Sequence, residues 1–307
     1  MFTLPAITVN FFPLELIKLI RVKHWVKNLF LFVPVFFAGQ LTNFDLYPHL
    51  ILAFCSYSFI ASAIYIINDW KDIEADRLHP EKRMRPLASG KVSTKVAGAV
   101  FVGLLLVGFG IAAYLSMKFA FVLIIYFVMN LAYTLGLKKI SILDIFIVAV
   151  GFVLRIKAGS VATEIALSQW SIVMVFLLAL FMAVAKRRDD LVLKAASGVD
   201  LRAVSKTYSL QFLDVSLSLI SGIIFISYLM FCMSPEVIER MGTYRLFYTA
   251  LFVLAGILRY LQIALVENNS GSPTKLLYTD RFIQVVLILW IVSFYLLIYF
   301  KDLIIFN

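Results

Sequence analysis

Long apolar runs separated by short charged interruptions recur along most of this chain. Read between the polar breaks, they fall at 28–40, 49–68, 95–116, 119–137, 141–162, 168–186, 209–232, 244–265 and 282–303. A helix of roughly 18 to 24 apolar residues crosses a hydrocarbon layer about 30 Å thick. The pattern therefore predicts an all-α integral membrane protein with about nine transmembrane helices. The interruptions are too short for a separate soluble domain, so residues 1–307 are expected to form a single polytopic domain. Ahead of the first run, residues 13–27 mix Leu14, Leu16, Ile17, Leu19 and Ile20 with Lys18, Arg21, Lys23, Trp25 and Lys27. That mixture predicts an amphipathic helix lying in the membrane interface.

Composition agrees: 62% of the 307 residues are hydrophobic, 15% are charged, and the mean hydropathy is +0.95. The bilayer is the solvent for such a chain. Cys55 and Cys232 both lie inside apolar runs, which argues against a disulfide framework or a cysteine-based zinc site. Residues 1–12 lack a basic leading region, so no cleaved signal peptide is expected. Counted by alternate compartments, about 21 of the 28 Lys and Arg fall on the side of the N-terminus. The positive-inside rule places that side in the cytoplasm and concentrates the net charge of +10 there. A basic loop residue can be an orientation signal and nothing more, so chemistry has to be sought in the scarce acids.

Those acids cluster where the second run ends, in Asn68-Asp69-Trp70-Lys71-Asp72-Ile73-Glu74-Ala75-Asp76. At about 100° per residue, Asn68, Asp69, Asp72 and Asp76 fall within one arc of a helix. Like charges stacked this way at a membrane boundary need a cation to offset them. Hard oxygen donors suit Mg²⁺, which takes one or two carboxylates and completes its shell with water and phosphates. The competing reading is a structural salt network with Arg77, Lys82, Arg83 and Arg85. Pro80 and Pro86 are expected to end the helix and turn the chain, so that Lys82, Arg83 and Arg85 fold back on the acidic face. Carboxylates beside cations point to a metal-bound polyanion. Lone His79 reads as a turn residue rather than a ligand.

These residues resemble the Asn-Asp-x-x-Asp-x-x-x-Asp signature of the UbiA-type prenyltransferase superfamily, intramembrane enzymes of nine helices. The extension His79-Pro80-x-Lys82-Arg83-x-Arg85-Pro86 is similar to the branch that makes polyprenyl-phosphate phosphoribose. The likeness continues in Arg21-x-Lys23-x-Trp25-Val26-Lys27-Asn28, in Tyr133 to Lys138, and in Gly151-Phe152-x-x-Arg155-x-x-Ala158-Gly159. It reaches Lys186-Arg187 and Asp280-Arg281, and so covers nearly the whole chain. One departure is Arg188-Asp189-Asp190, where the family has an aromatic, a small residue and Glu; Asp190 keeps the acid.

In the second half, Lys186, Arg187 and Asp190 share a helix face at the same membrane side. Arg155 and Lys157 lie within an apolar run, where a charge costs at least about 2.5 kcal/mol unless it meets a partner or a wet cavity. Asp144, three turns before Arg155, falls on the same face, so the two could line one cavity; it could equally cap its helix, as Lys157 could snorkel.

The resemblance implies a UbiA-type bundle with a central cavity opening to the cytoplasmic side, in a bacterial plasma membrane. It implies transfer of 5-phosphoribose from 5-phosphoribosyl 1-diphosphate to a polyprenyl phosphate. Asp69, Asp72 and Asp76 would be catalytic, and with Asn68 and Asp190 would hold Mg²⁺. Lys23, Lys27, Asn28, Lys82, Arg83, Arg85, Tyr133, Lys138, Arg155, Lys186 and Arg187 would bind the substrates. Two rival functions remain at this level: an aromatic prenyltransferase with a prenyl diphosphate donor, and an anion transporter built around Arg155 and Lys157. Nucleic acid is not an expected partner, and a homo-oligomer stays open.

Overall fold

A computed structural model describes residues 12–79, 82–197, 207–267, 276 and 279–300. Helix α1 covers Phe12–Leu19, and a 3₁₀ helix, Val22–Phe32, leads into α2, Val33–Phe37. There follow α3 (Tyr47–Lys71), α4 (Ile73–Leu78), α5 (Thr94–Leu115), α6 (Met117–Leu135) and α7 (Leu143–Thr163). The second half holds α8 (Gln169–Ser197), α9 (Leu210–Met233), α10 (Pro235–Met241), α11 (Ala250–Leu265) and α12 (Arg281–Tyr299). Among the described residues, eight helical segments are long and apolar enough to cross a membrane; they contain α3, α5, α6, α7, α8, α9, α11 and α12. Large apolar side chains such as Leu106, Phe121, Leu219 and Leu251 stand exposed on their outer faces. Water would not tolerate that belt, but lipid does.

The first predicted run, 28–40, differs from expectation. The chain winds as a 3₁₀ helix for 11 residues, Val22–Phe32, and only the next 5, Val33–Phe37, are α-helical. At about 2.0 Å per 3₁₀ residue and about 1.5 Å per α residue, this short segment still reaches about 30 Å. It runs antiparallel along α3. Ser62 Oγ donates to Ile20 O at 2.7 Å, Trp25 Nε1 to Ser62 Oγ at 3.0 Å, and Asn28 Nδ2 to Ser58 Oγ at 2.9 Å. At the other end, Tyr299 Oη donates to Gly39 O at 2.7 Å. The amphipathic helix expected over 13–27 stops at Leu19, because Arg21 turns the chain with φ 52° and ψ 48°. Conversely, α8 runs past its expected end at 186 to Ser197.

Small side chains let these backbones approach, as helix packing in lipid requires. Helix α3 buries Ala53, Ser56, Ser58, Ala61, Ser62 and Ala63, and Ser56 Oγ donates to Gly108 O on α5 at 2.7 Å. One core joins the leading segment to α3, α5, α6 and α7; a second joins α7 to α8, α9, α11 and α12. Helix α7 is shared by both. Its Gly159 lies so close to the leading segment that a Cβ would sit 1.9 Å from Leu31 O. Gly159→Ala is therefore expected to push that segment off α7 and to destabilise the protein by about 3 kcal/mol. Thermal unfolding in detergent measures it; an unchanged midpoint would mean the two backbones are not in contact.

Candidate active site

The C-terminal ends of α3 and α6 meet at one end of the bundle, where Lys71 Nζ donates to Thr134 O at 3.0 Å and Leu135 O at 2.8 Å. Here α3 gives way at Asp72 (φ −96°, ψ 10°) to α4, yet Asp72 N still reaches Asn68 O at 3.0 Å and Asp76 N reaches Asp72 O at 2.8 Å. The helical turn survives the break, so the acids stay near one another. They separate into two pairs. Arg85 Nη1 is shared by Asp69 Oδ1 at 3.0 Å and Asp76 Oδ2 at 2.6 Å. Lys138 Nζ lies 2.9 and 3.2 Å from the two oxygens of Asp72 and 3.4 Å from Asn68 Oδ1. Arg21 clamps Asp69 with both Nε, at 3.2 Å, and Nη2, while its guanidinium lies 5.0 Å from the Tyr65 ring centre.

Asp69 and Asp76 are buried, whereas Asp72 keeps about 29% of its side chain exposed. Arg85 folds back as expected, and a small apolar cluster explains how: Leu87 and Val92 pack with Leu19 of α1 and Ile66 of α3. Arg77 instead pairs with Glu74 at 2.9 Å, and Arg83 is exposed. His79 Nδ1 accepts from Lys82 N at 3.4 Å, the turn role its isolation suggests. Pro80 and Glu81 lie outside the described residues. His24 sits beside Tyr65, ring centres 5.4 Å apart.

Arg155 is buried and surrounded by neutral groups. Nε donates to Asn28 Oδ1 at 2.9 Å, Nη1 to Gly151 O at 2.8 Å and Nη2 to Tyr126 Oη at 3.0 Å. Tyr57, Tyr126 and Phe152 lie 5.3, 5.1 and 5.1 Å from the guanidinium by ring centre. Asn28 is thereby engaged at both ends of its amide, by Arg155 and Ser58. Asp144 engages partners other than those of Arg155. It is buried, takes Arg187 Nε at 2.6 Å, and accepts from Tyr208 Oη at 2.7 Å. Arg187 Nη1 lies 3.6 Å from Asp190. Lys23 and Lys157 are exposed, and Tyr133 is half-buried.

Among the described residues, no three acidic, histidine or cysteine side chains converge closely enough to cage a metal. Four of the five expected ligands fall into these two pairs, Asp69 and Asp76 on Arg85, with Arg21 also on Asp69, and Asn68 and Asp72 on Lys138. Two hollows lie along the bundle. An apolar one of about 430 Å³ lies between the leading segment, α8, α9, α11 and α12, lined by Phe30, Phe181, Tyr228, Tyr260, Leu287 and Trp290 among others. A larger one, about 1110 Å³, lies at the opposite end near His49, Lys118, Lys157 and Glu164. Sequence reasoning places Arg21 only within the amphipathic mixture and the resemblance, and it misses Tyr57, Tyr126 and Tyr208 as partners. Tyrosines in an apolar chain carry no positional signal until their neighbours are known.

Fold and charged end together define a polytopic helical membrane protein whose carboxylates and cations pair at one end of the bundle. The pattern of the UbiA prenyltransferase family matches residues 28–286, and the chain belongs to that family. It is 32% identical over 296 residues to the decaprenyl-phosphate phosphoribosyltransferase of Mycolicibacterium smegmatis, covering 93% of each chain. The enzyme of that name from Corynebacterium glutamicum is 31% identical over 290 residues, covering 92% of this chain and 86% of the relative. Among solved structures, a UbiA homologue from Archaeoglobus fulgidus bound to GPP and Mg²⁺ superposes with a TM-score of 0.67 at 19% identity, covering 92% of this chain and 99% of that one.

Proposed function

We propose that this protein transfers 5-phosphoribose from 5-phosphoribosyl 1-diphosphate to a polyprenyl phosphate, releasing diphosphate, with Mg²⁺ as cofactor. The phosphoribosyltransferases similar over nine-tenths of the chain support the reaction class. The observation that carries the site is the pairing of four oxygen-bearing side chains around two cations, Asp69 and Asp76 on Arg85, Asn68 and Asp72 on Lys138. Such pairs fit a hard divalent ion that takes one or two carboxylates and completes its shell on phosphate. When bound, Mg²⁺ would offset the charge that builds on the departing diphosphate.

The chain's own residues do the rest. Arg21, Arg85 and Lys138 leave a carboxylate partner for a phosphate one, an exchange between charge-assisted contacts of similar strength. Lys23, Lys27, Lys82, Arg83 and Lys186 widen the positive rim that receives the donor. Arg187, anchored by Asp144, lies 3.6 Å from Asp190, the acid that would join the metal's ligands. The lipid phosphate has a second pKa of about 6 and is nucleophilic without a strong base. Its oxygen bonds to the anomeric carbon as the bond to diphosphate breaks, the electron pair leaving on diphosphate. The prenyl tail lies in the apolar hollow, and the site faces the cytoplasm of the bacterial plasma membrane by the positive-inside rule.

The test supplies membranes containing the protein with ribose-labelled 5-phosphoribosyl 1-diphosphate or with labelled polyprenyl diphosphate. Ribose label is expected in the lipid phosphate fraction, and chelation of Mg²⁺ is expected to abolish it. Prenyl label appearing on an aromatic acid instead would replace this reading with the rival one.

A further inference from the structure

The loop between α6 and α7 carries Lys138 and ends in a backbone conformation its residue types disfavour. Leu143 N donates to Ser141 O at 2.8 Å, closing a three-residue γ-turn centred on Ile142 at φ 67° and ψ −47°. A γ-turn of positive φ is rare and strained, and a β-branched residue at its centre makes it an outlier. The Ile142 side chain is 50% exposed, so its packing does not hold the turn. A hydroxyl does. Ile142 N donates to Tyr208 Oη at 2.7 Å, and the same hydroxyl donates to Asp144 Oδ1 at 2.7 Å. Asp144 is fixed in turn by Arg187 of α8 at 2.6 Å. The strained turn is thus bolted to α8 and to the start of α9 through one oxygen. A hollow of about 480 Å³ adjoins it, lined by Ser141, Ile142, Thr207, Tyr208, Ser209 and Phe212, so the loop has room to relax.

We propose that Tyr208 is a positioning residue for Lys138: its hydroxyl holds the Ile142 turn, and the turn presents the Lys138 ammonium to Asp72 and Asn68. The consequence for catalysis rests on the transferase reading above. Strain at a position over-determined by its surroundings is how a site keeps a group where relaxed backbone would not leave it.

Tyr208→Phe keeps the ring against Phe212, whose centre lies 6.0 Å away, and removes only the hydroxyl. Turnover is expected to fall about tenfold, the scale of a lost buried hydrogen bond. In a Lys138→Gln background the same change is expected to add no further loss, since both act through one contact. Ile142→Gly accepts positive φ without steric strain and is expected to restore most of the turnover of Tyr208→Phe. A purely structural Tyr208 would behave oppositely, with glycine lowering the thermal midpoint further and restoring nothing. Independently of any substrate, amine-reactive labelling of Lys138 followed by mass spectrometry is expected to rise in Tyr208→Phe, because an amine no longer held against Asp72 and Asn68 stands open to the reagent. Unchanged labelling with multiplying losses would overturn the proposal. Increased labelling in a protein that transfers no phosphoribose would sustain it while removing the transferase reading.

Discussion

Asp72→Asn is expected to lower phosphoribosyl transfer by about a thousandfold, the scale of losing one electrostatic contact to a developing charge, while barely moving the thermal midpoint. The asymmetry follows from where Asp72 lies. Its side chain is partly exposed, and Lys138, its partner at 2.9 Å, is also partly exposed, at 26%. Pairs of that kind contribute about 0 to 1 kcal/mol to stability. The isosteric amide keeps the shape and removes the charge that a magnesium-bound diphosphate needs. Asp69→Asn offers the contrast, since Asp69 is 3% exposed and bridges Arg21 and Arg85. Breaking a buried pair costs about 3 to 5 kcal/mol, so that variant should lose stability and activity together. Activity against Mg²⁺ concentration, measured beside thermal unfolding, separates the two. Wild-type turnover of Asp72→Asn at limiting Mg²⁺ would refute the metal role.

Arg155→Ala is expected to destabilise the protein by about 4 kcal/mol, because it leaves three buried acceptors without their donor and empties an aromatic enclosure. That corresponds to a fall of about 10 °C in the midpoint. Arg155→Lys should recover little, since one ammonium cannot reach Asn28, Gly151 and Tyr126 together. Because Asn28 belongs to the leading segment, the same loss should loosen the stretch that carries Arg21 and His24 to the acidic end. A normal midpoint with a tenfold rise in the KM for lipid phosphate would instead make Arg155 a substrate contact. The resemblance suggests that contact; the three neutral acceptors around the guanidinium favour a role in joining α7 to the leading segment.

Much of the fold is legible in the order of residues alone. Spans such as 95–116 and 141–162 lie within two residues of α5 and α7, because lipid demands an unbroken apolar helix and punishes any other pattern. The cluster from Asn68 to Asp76 is conspicuous because acids are scarce in an apolar chain. The first span reads as ordinary helix and is not one, since periodicity does not distinguish a 3₁₀ segment pressed against Gly159 from an α-helix.

Residue order is enough to put the chain in a bilayer, to say which end is charged, and to gather carboxylates and cations there; these follow from the solvation cost of each residue taken singly. The pairing of Asp69 and Asp76 on Arg85, of Asp72 with Lys138, of Arg187 with Asp144, and of Tyr208 with a strained turn emerges from the folded bundle alone. Which cation meets which carboxylate depends on distances between helices far apart in the chain, and those are set by packing of small residues that no local pattern encodes.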